Sequence, residues 1–327
     1  MYISFAVIFS MMVVVDLVGN TLVILVVLQN ESMKTPVNYL LVNLAVADIF
    51  VGVFFGIQFI VTPTLTHPAA GTGDLLCKLV TGGVPGWVGA VTSVFTLVAI
   101  AIERYYAVMF PHSQRGKLTK GKIVIFVIVS WLLSLLWAGV GFFITVYNKE
   151  IKGCAHSWSK EIYANLYTVG WAIVAGLIPL GIMGFLYSRV VHRLWFTNQE
   201  NEATQIALLR YRKRVTKLVI AVTIVYAFCW VPELTIYFLG FTGAIELRTI
   251  HFNIASALVF FNSTINPVVY ALQSSIFRKH LWDLICACCR RGRRPNRVEP
   301  ALEQSSNTTA QRGLHLVGGK RVHFEIT

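Results

Sequence analysis

The sequence predicts an all-α membrane protein, a bundle of seven transmembrane helices with a short amphipathic helix on the inner membrane surface. Apolar residues make up 56% of the chain, charged residues make up 13%, and the mean hydropathy is +0.65, which is more apolar than a soluble core requires. Residues 274–289 alternate apolar with charged side chains, which predicts the surface helix. Apolar windows long enough to cross hydrocarbon are residues 3–27, 39–61, 79–108, 123–147, 166–191, 218–241 and 250–272.

Basic residues are concentrated on one side of this bundle. A net charge of +13 would suit a nucleic-acid partner, but its placement argues against that class of protein. The positive-inside rule places the N-terminus outside and the C-terminus in the cytoplasm, so we expect a multi-pass protein of the plasma membrane. No signal peptide is visible, so the first span is expected to act as its own insertion signal. With this topology, the outer side holds only these of the 28 Lys and Arg residues: Lys78, Lys149, Lys152, Lys160 and Arg248.

The first two spans carry polar residues at membrane depth. Asp16 and Gly19-Asn20 lie in the first span, and the second span contains the run from Asn43 to Asp48. A buried Asn commonly just bonds a neighbouring helix. A carboxylate at mid-membrane, however, costs about 2.5–3.5 kcal/mol on insertion scales. Asp48 therefore requires a compensating partner.

The third span runs from Cys77 at its outer end to Glu103-Arg104-Tyr105 at its inner end. At about 1.5 Å per residue these ends are roughly 40 Å apart, the depth of a bilayer with its headgroups. An acid and an arginine are expensive to hold near hydrocarbon, so this pair indicates a functional role. The segment from Gly82 to Gly86 predicts that the outer third of the helix bulges or begins late.

Prolines interrupt the later spans. Pro179 lies in the fifth span, Pro232 in the sixth, and Pro267 in the polar run 262–270 of the seventh. Proline removes a backbone hydrogen bond, which a membrane tolerates only where neighbours or water satisfy the freed groups. The fourth span contains Trp131 and no ionisable residue, and is predicted to be a packing helix.

The cysteines divide between two compartments. Cys77 and Cys154 lie on the outer side, where oxidation is permitted, and we pair them as a disulfide. The cysteines after the last span lack the second Cys or His cluster that a zinc site needs. Acylation just below the membrane is therefore expected for Cys286, Cys288 and Cys289.

Two regions are predicted along the chain. The membrane domain covers residues 1–289 and includes the surface helix at about 274–289. Residues 290–327 are basic and then rich in Ser, Asn, Gln and Gly, which predicts a disordered cytoplasmic tail. The tail hydroxyls that could accept phosphate are Ser305, Ser306, Thr308 and Thr309.

Residues 1 to about 290 resemble the rhodopsin-like (class A) G-protein-coupled receptors, and the second and seventh spans look most like those of neuropeptide receptors. This resemblance implies a receptor rather than an enzyme, which promotes nucleotide exchange on a heterotrimeric G protein. It also implies a hairpin around Cys154. The motifs that carry it are Gly19-Asn20, Asn43 to Asp48, Cys77 with Cys154, Glu103-Arg104-Tyr105, Trp131, Pro179 with Tyr187, Cys229-Trp230-Val231-Pro232 and Asn266-Pro267-Val268-Val269-Tyr270.

The resemblance implies a switch between two states. The tryptophan beside the sixth-span proline would sense the ligand, and the inner end of that span would swing outward. The arginine of the third span would then leave its neighbouring acid, meet two tyrosines and open a cleft for the G protein. The residues assigned to coupling and activation are Glu103, Arg104, Tyr105, Tyr187, Trp230, Pro232, Asn266, Pro267 and Tyr270.

The inner end of the sixth span departs from the family pattern. Many members carry an acid there that holds the arginine of the third span, whereas this chain has Arg212, Lys213 and Arg214. We predict no such lock and expect elevated basal activity. After phosphorylation, the tail would bind arrestin.

No cofactor is required, but the resemblance implies an allosteric sodium ion that neutralises Asp48 and disfavours the active state. The residues assigned to this sodium site are Asp48, Ser93, Asn20, Asn262, Ser263 and Asn266.

The absence of acids from the third span outward of Glu103, and of lysine from the seventh span, argues against two classes of ligand. No carboxylate lies between Cys77 and Glu103, which argues against a biogenic amine, and the seventh span contains no Lys to bind retinal. Glu233 is the remaining acid. It is either a protonated side chain bonded to a neighbouring helix or the counter-ion of a basic ligand group, such as an arginine side chain or an amino terminus.

A short neuropeptide, basic or amidated, is the favoured ligand, and a lipid or another small non-amine molecule is the alternative. Aromatic residues at helical spacing more commonly pack than bind. The predicted ligand-binding residues are Gln58, Trp87, Trp158, Trp171, Glu233, Tyr237, His251 and Asn253.

Other classes of membrane protein fit less well. A transporter would also place acids in broken helices, but it commonly consists of two corresponding halves, and the sequence has no such repeat. The metal, serine-nucleophile and phosphate-loop motifs of enzymes are absent from the sequence.

Overall fold

The computed structural model describes residues 2–66, 68, 71–111, 118–150, 153–196, 203–242, 244–245 and 249–291. Residues Met1–Cys286 form one compact unit. Within the described residues, seven helical segments are long and apolar enough to cross a membrane, and each overlaps one predicted window. Spans 1 to 7 are Phe5–Gln29, Pro36–Thr64, Gly71–Met109, Lys120–Ile144, Glu161–Phe196, Leu209–Gly240 and Asn253–Leu272.

Several spans consist of more than one regular element. The α-helices are α1 (Tyr2–Gln29), α2 (Pro36–Gly56), α3 (Gly71–Leu76), α4 (Val84–Met109), α5 (Lys120–Ala138), α6 (Gly141–Ile144), α7 (Glu161–Ala172), α8 (Ile178–Val191), α9 (Ala203–Phe241), α10 (Thr249–Gln273) and α11 (Ser275–Arg291), and the strands are β1 (Thr145–Asn148) and β2 (Gly153–His156). Segments of π-helix occupy Ile57–Val61, Cys77–Thr81, Ile173–Leu177 and His192–Phe196, and 3₁₀ turns occupy Glu31–Met33 and Thr62–Thr64.

The predicted all-α membrane bundle is thus confirmed, but spans 2, 3, 5 and 6 are longer than their apolar windows. Span 3 begins at Gly71 and span 5 ends at Phe196. A helix can continue past the hydrocarbon into headgroups and water, where polar side chains are solvated, so hydropathy detects only its apolar part. The predicted tail lies outside the described residues from position 292 onward, and its boundary stays a prediction.

The outer part of span 3 is broken, as the sequence predicted. The π-helix Cys77–Thr81 ends at Gly82, and Gly83 has φ +74°, a left-handed conformation that favours glycine. A Cβ at Gly83 would lie 1.9 Å from Oε1 of Gln58. This close approach explains why the chain turns here before α4 begins at Val84.

A hairpin covers the outer end of span 3. Strands β1 and β2 pair antiparallel, with Tyr147 opposite Cys154. A disulfide joins Cys77 to Cys154, whose Cα atoms are 5.5 Å apart, and the Asp74 carboxylate accepts a hydrogen bond from the backbone N–H of Tyr147 at 2.7 Å. The predicted disulfide and hairpin are therefore confirmed.

Large apolar side chains lie both inside and outside the bundle. Trp230, Tyr226 and Phe260 are buried in its interior, whereas Leu136 and Leu177 are exposed on outward faces. A water-soluble protein rarely exposes so much apolar surface, so these faces are suited to lipid.

Polar contacts connect the spans where hydrocarbon would leave polar groups unsolvated. The Asn43 amide donates to Oγ1 of Thr96 at 2.8 Å, and Trp131 Nε1 donates to Oδ1 of Asn43 at 3.0 Å. Trp131, predicted only as a packing residue, thus ties span 4 to spans 2 and 3. Such bonds contribute roughly 0.6–2 kcal/mol each inside a membrane.

Spans 1 and 2 approach closely at Gly52, which yields a testable prediction. A Cβ at Gly52 would lie 2.1 Å from Oδ2 of Asp16, so Gly52→Ala forces the two spans apart. Overpacking of this kind costs about 1–3 kcal/mol. We expect a lower thermal midpoint for the purified variant in detergent, and recovery of most of the loss when Asp16→Ala is added.

Gly184→Ala is the matched control, because an added Cβ there meets nothing within 4 Å. Its thermal midpoint should equal or slightly exceed that of the native chain, because alanine is more favourable than glycine inside a helix by about 0.5–1 kcal/mol. Equal midpoints for Gly52→Ala and Gly184→Ala would show that the two spans do not approach as described.

Candidate functional site

A cavity opens on the side of the bundle that carries the hairpin. It is lined by groups from spans 3, 4, 5 and 6 and from β2. The space open to water-sized groups is about 90 Å³, whereas one water needs roughly 10–15 Å³, so the cavity admits several waters or one amino-acid side chain. The polar and aromatic residues among those lining it are Trp87, His156, Trp158, Tyr167, Thr168, Trp171, Glu233 and Tyr237.

An array of aromatic rings forms the wall and floor of this cavity. Trp171 is central to it: its ring centroid lies 5.5 Å from that of Trp87, 6.1 Å from that of Tyr167 and 6.5 Å from that of Trp230. Trp158 lies against Tyr167 at 5.3 Å. Edge and offset contacts of this kind are favourable, and they connect the cavity directly to Trp230.

Glu233 supplies the acidic group of the cavity. Its side chain is 4% exposed, and Oε2 has no hydrogen-bond partner among the described residues. No Lys or Arg lies among the described residues that line the cavity. A buried carboxylate without a cation is costly, so this position is suited to a positively charged group from a ligand.

The structure brings together most, but not all, of the predicted ligand-binding residues. Trp87, Trp158, Trp171, Glu233 and Tyr237 line one cavity. The other three predicted residues lie elsewhere. Gln58 packs against the turn at Gly83, and the half-buried residues His251 and Asn253 lie near the outer end of α10, outside the lining.

Sequence reasoning missed three polar or aromatic members of this cavity, Tyr167, Thr168 and His156. Tyr167 precedes Trp171 by four residues, so both lie on one face of α7; that spacing could have identified it. His156 is in β2, two residues after Cys154. Its inclusion depends on how the expected hairpin folds over the cavity, which no local pattern in the sequence indicates.

A second polar site lies in the middle of the bundle around Asp48. The side chain is completely buried. Ser93 Oγ donates to its Oδ1 at 3.0 Å, and the Asn266 amide donates to its Oδ2 at 2.7 Å. Spans 2, 3 and 7 therefore meet at one carboxylate, with neutral donors as its partners.

The same network extends to span 1. The Asn20 amide donates to Oδ1 of Asp16 at 3.0 Å and to the backbone oxygen of Ser263 at 3.5 Å. Both side chains are completely buried. Asp16 was noted in the sequence but was not assigned to the site.

Several buried oxygens in this network accept no hydrogen bond from the described residues. Asn20 Oδ1, Asn262 Oδ1 and Asn266 Oδ1 have no hydrogen-bond partner among the described residues. Carboxylate and amide oxygens are the ligands that hard cations prefer, so these residues fit a sodium ion. No cluster of three or more His, Cys, Asp or Glu occurs in the part of the chain that the structure describes.

Trp230 lies next to the outer cavity, in ring contact with Trp171. It is completely enclosed by neighbours, among them Tyr226, whose ring centroid is 5.8 Å away. The Tyr226 hydroxyl in turn donates to the backbone oxygen of Ala175. Pro232, two residues after Trp230, interrupts the hydrogen bonding of α9, and Pro267 does the same in α10.

At the inner end of span 3, Glu103 and Arg104 form an ion pair. Arg104 Nε donates to Oε2 of Glu103, and both side chains are buried. Tyr105 packs its ring against Tyr106 and Phe110, with centroids 5.7 and 6.1 Å apart. The pair lines an inner cavity whose rim includes Tyr106, Tyr211 and Arg212.

The tyrosines assigned to the switch are buried nearby but do not bond Arg104. Tyr187 and Tyr270 are both shielded from solvent, and the Tyr270 hydroxyl has no hydrogen-bond partner among the described residues. The described residues include one ion pair to Arg104, from Glu103. The movement of Arg104 from Glu103 to these tyrosines stays a prediction.

The inner surface contains α11, which the sequence predicted over nearly the same residues. Its Phe277 is buried against the bundle, and Cys286 is exposed. The side chains of Cys288 and Cys289 lie outside the described set, so their acylation stays a prediction.

Comparison with known proteins identifies similar sequences. The family model described as 7 transmembrane receptor (rhodopsin family) matches residues 19–270. The chain is 29% identical over 313 residues to the QRFP-like peptide receptor of Branchiostoma floridae, covering 89% of this chain and 81% of that protein. It is 30% identical over 299 residues to galanin receptor 2a of Danio rerio, covering 89% and 80%. It is 25% identical over 308 residues to the pyroglutamylated RF-amide peptide receptor of Mus musculus, covering 87% and 70%.

Proposed function

Because this chain belongs to the 7 transmembrane receptor (rhodopsin family), whose model matches residues 19–270, we propose that it binds a short peptide outside the cell and promotes nucleotide exchange on a heterotrimeric G protein inside it. The proposed location is the plasma membrane with the N-terminus outside. Two observations support this orientation. The Cys77–Cys154 disulfide requires an oxidising compartment, and the basic residues cluster at the opposite end of the bundle with Arg104.

A peptide ligand is supported by the relatives and by the shape of the outer cavity. Two of the similar proteins carry names that describe peptide receptors. The cavity admits about one side chain in its roughly 90 Å³, so one residue of a peptide would enter while the rest lies at the mouth, beside the hairpin. A peptide bound this way meets both the aromatic array and the hairpin.

The surroundings of Glu233 indicate which ligand side chain would enter the outer cavity. Glu233 lines a cavity with Trp87 and Trp171, its Oε2 has no hydrogen-bond partner among the described residues, and no Lys or Arg lies among the described lining residues. A guanidinium group pairs with a carboxylate through two hydrogen bonds and stacks on aromatic faces. Arginine therefore matches this site better than a compact, strongly hydrated ammonium group.

The proposed response passes from the cavity to the inner face through Trp230 and the α9 kink. Trp230 contacts the cavity residues Trp87 and Trp171, so a bound side chain changes its packing. The inner end of span 6 would then move outward, and Arg104 would leave Glu103 for Tyr187 and Tyr270. Ligand and G protein would each stabilise this open state, with a coupling of about 1–3 kcal/mol.

A sodium ion at Asp48 is proposed as a negative regulator of this transition. The unpartnered oxygens of Asn20, Asn262 and Asn266 support it, with Ser93 and Ser263 completing the set. An ion there supplies a positive charge that neutralises the buried carboxylate. A ligand that binds the closed state more tightly than the open state shifts the balance toward the closed state. Arrestin at the phosphorylated tail and acyl chains at the cysteines are further proposed partners.

The peptide proposal is tested with amidated peptides that contain arginine and with counterparts in which citrulline replaces it. Citrulline keeps the shape of the side chain but carries no charge. We expect the arginine peptides to accelerate nucleotide exchange in membranes containing the chain, and Glu233→Gln to raise their half-maximal concentration at least tenfold, since truncating one partner of a buried charge pair costs about 2–5 kcal/mol. The citrulline peptides should be weak on the native chain and little affected by Glu233→Gln.

Glu161→Gln is the matched control, because Glu161 is an exposed acid at the outer end of span 5. It should leave every half-maximal concentration unchanged. Equal losses for the arginine and citrulline peptides in Glu233→Gln would contradict a charge pair. A response to lipids alone would favour the alternative ligand class.

The sodium proposal predicts that peptide affinity is lower in sodium chloride than in choline chloride of equal concentration. Asp48→Asn should remove this difference, because the variant site lacks the charge that attracts the ion. Competition binding in the two salts measures it. A native chain whose affinity is the same in both salts has no sodium effect, and the proposal fails.

A further inference from the structure

The inner end of span 6 has three neighbouring bases, and each has a different environment. Arg212 lines the inner cavity together with Arg104, so two like charges face the same space. Lys213 places its ammonium group 5.4 Å from the ring centroid of Trp195 in span 5. Arg214 Nη1 donates a hydrogen bond to Oγ of Ser275 at 2.8 Å. The last contact joins span 6 to the first residue of α11.

The α11 end of this contact is firmly held. Ser274 Oγ accepts a hydrogen bond from the backbone N–H of Phe277 at 3.1 Å, and Phe277 is buried against the bundle. Arg278 Nη1 donates to the backbone oxygens of Ala271 and Leu272, at 2.9 and 2.7 Å. These bonds cap the end of span 7 and fix the start of α11. Ser275 is therefore a fixed point, and Arg214 is on the element that is proposed to move.

The Arg214–Ser275 contact crosses a gap. A cavity lies between the inner ends of spans 2 and 6 and the start of α11, and its lining includes Asn38, Arg214, Ser274 and Ile276. Apolar packing does not fill this space. The hydrogen bond therefore acts directly on the separation between span 6 and α11.

We propose that the Arg214–Ser275 hydrogen bond is a latch that holds the inner end of span 6 in the closed position and breaks when the span moves outward. The inference rests on the proposed opening of span 6. The latch restrains the same end of span 6 that an acid restrains in other family members, but it does so through α11 rather than through Arg104. It opposes the repulsion between Arg104 and Arg212, which favours opening.

The latch predicts a change in basal activity that needs no ligand. Ser275→Ala and Arg214→Gln should each raise basal nucleotide exchange on added heterotrimeric G protein by about two- to tenfold, the factor expected for one solvent-exposed hydrogen bond. The double variant should show no further rise, because both changes remove the same bond. Ser275→Asp should lower basal exchange below the native level, since a carboxylate pairs with Arg214 more strongly than a hydroxyl.

Lys217→Gln is the matched control, because Lys217 is an exposed base three residues further along the same helix. It should leave basal exchange at the native level. Surface expression is measured for each variant, and rates are expressed per receptor. The latch is wrong if basal exchange in Ser275→Ala equals that of Lys217→Gln. It is also wrong if the fold-increase of the double variant is the product of the fold-increases of the two single variants.

Distances between labels separate the latch from the opening movement itself. Labels introduced as unnatural amino acids at the exposed positions Arg210 and Lys279 report the separation of span 6 and α11. Nucleotide-free G protein should lengthen this distance in the native chain, and Ser275→Ala should shift part of the population to the long distance without G protein. If G protein lengthens the distance but Ser275→Ala has no effect, the latch alone is wrong. If G protein leaves the distance unchanged, the opening proposal is wrong, and the latch falls with it.

Discussion

The ion pair between Glu103 and Arg104 is the interaction on which the account depends. Both side chains are buried at the inner end of span 3, and among the described residues each has the other as its ion-pair partner. Removing one member of a buried pair leaves an uncompensated charge at the edge of the hydrocarbon, which is strongly unfavourable. Arg104 can therefore leave Glu103 only if other polar groups receive it. The nearby buried tyrosines, Tyr187 and Tyr270, are suited to that role.

The rest of the bundle follows from the same constraint, that hydrocarbon solvates no polar group. Asp48 is satisfied by donors from two other spans, and Asn43 connects three spans through its amide. Where a buried polar group has no partner among the described residues, a ligand or an ion could supply one. Glu233 lines the outer cavity and its Oε2 has no partner among the described residues, and the oxygens around Asp48 could hold a cation. Trp230 is in direct ring contact with Trp87 and Trp171 of the outer cavity.

The sequence predicted the seven spans, the disulfide, the break in span 3 and the polar residues around Asp48. These follow from hydropathy, charge placement and local motifs, which are properties of neighbouring residues. Five of the eight residues predicted for the outer cavity line it, but the other members could not be predicted, because they depend on helix rotation and on the loops. The π-helical segments Ile57–Val61 and Ile173–Leu177 widen the turns of their helices, which no local pattern in the sequence indicates. Gln58, within the first of these segments, packs at Gly83, and His156 enters only through the folded hairpin.

The most direct test measures nucleotide exchange on a panel of purified heterotrimeric G proteins, using vesicles that contain the native chain, Arg104→Ala or no receptor. Arg210→Ala, which removes an exposed base from span 6, is the control. The account predicts faster exchange with the native chain and Arg210→Ala than in empty vesicles, and no acceleration with Arg104→Ala at equal receptor density. Acceleration by Arg104→Ala as large as that by the native chain would contradict the role of Arg104.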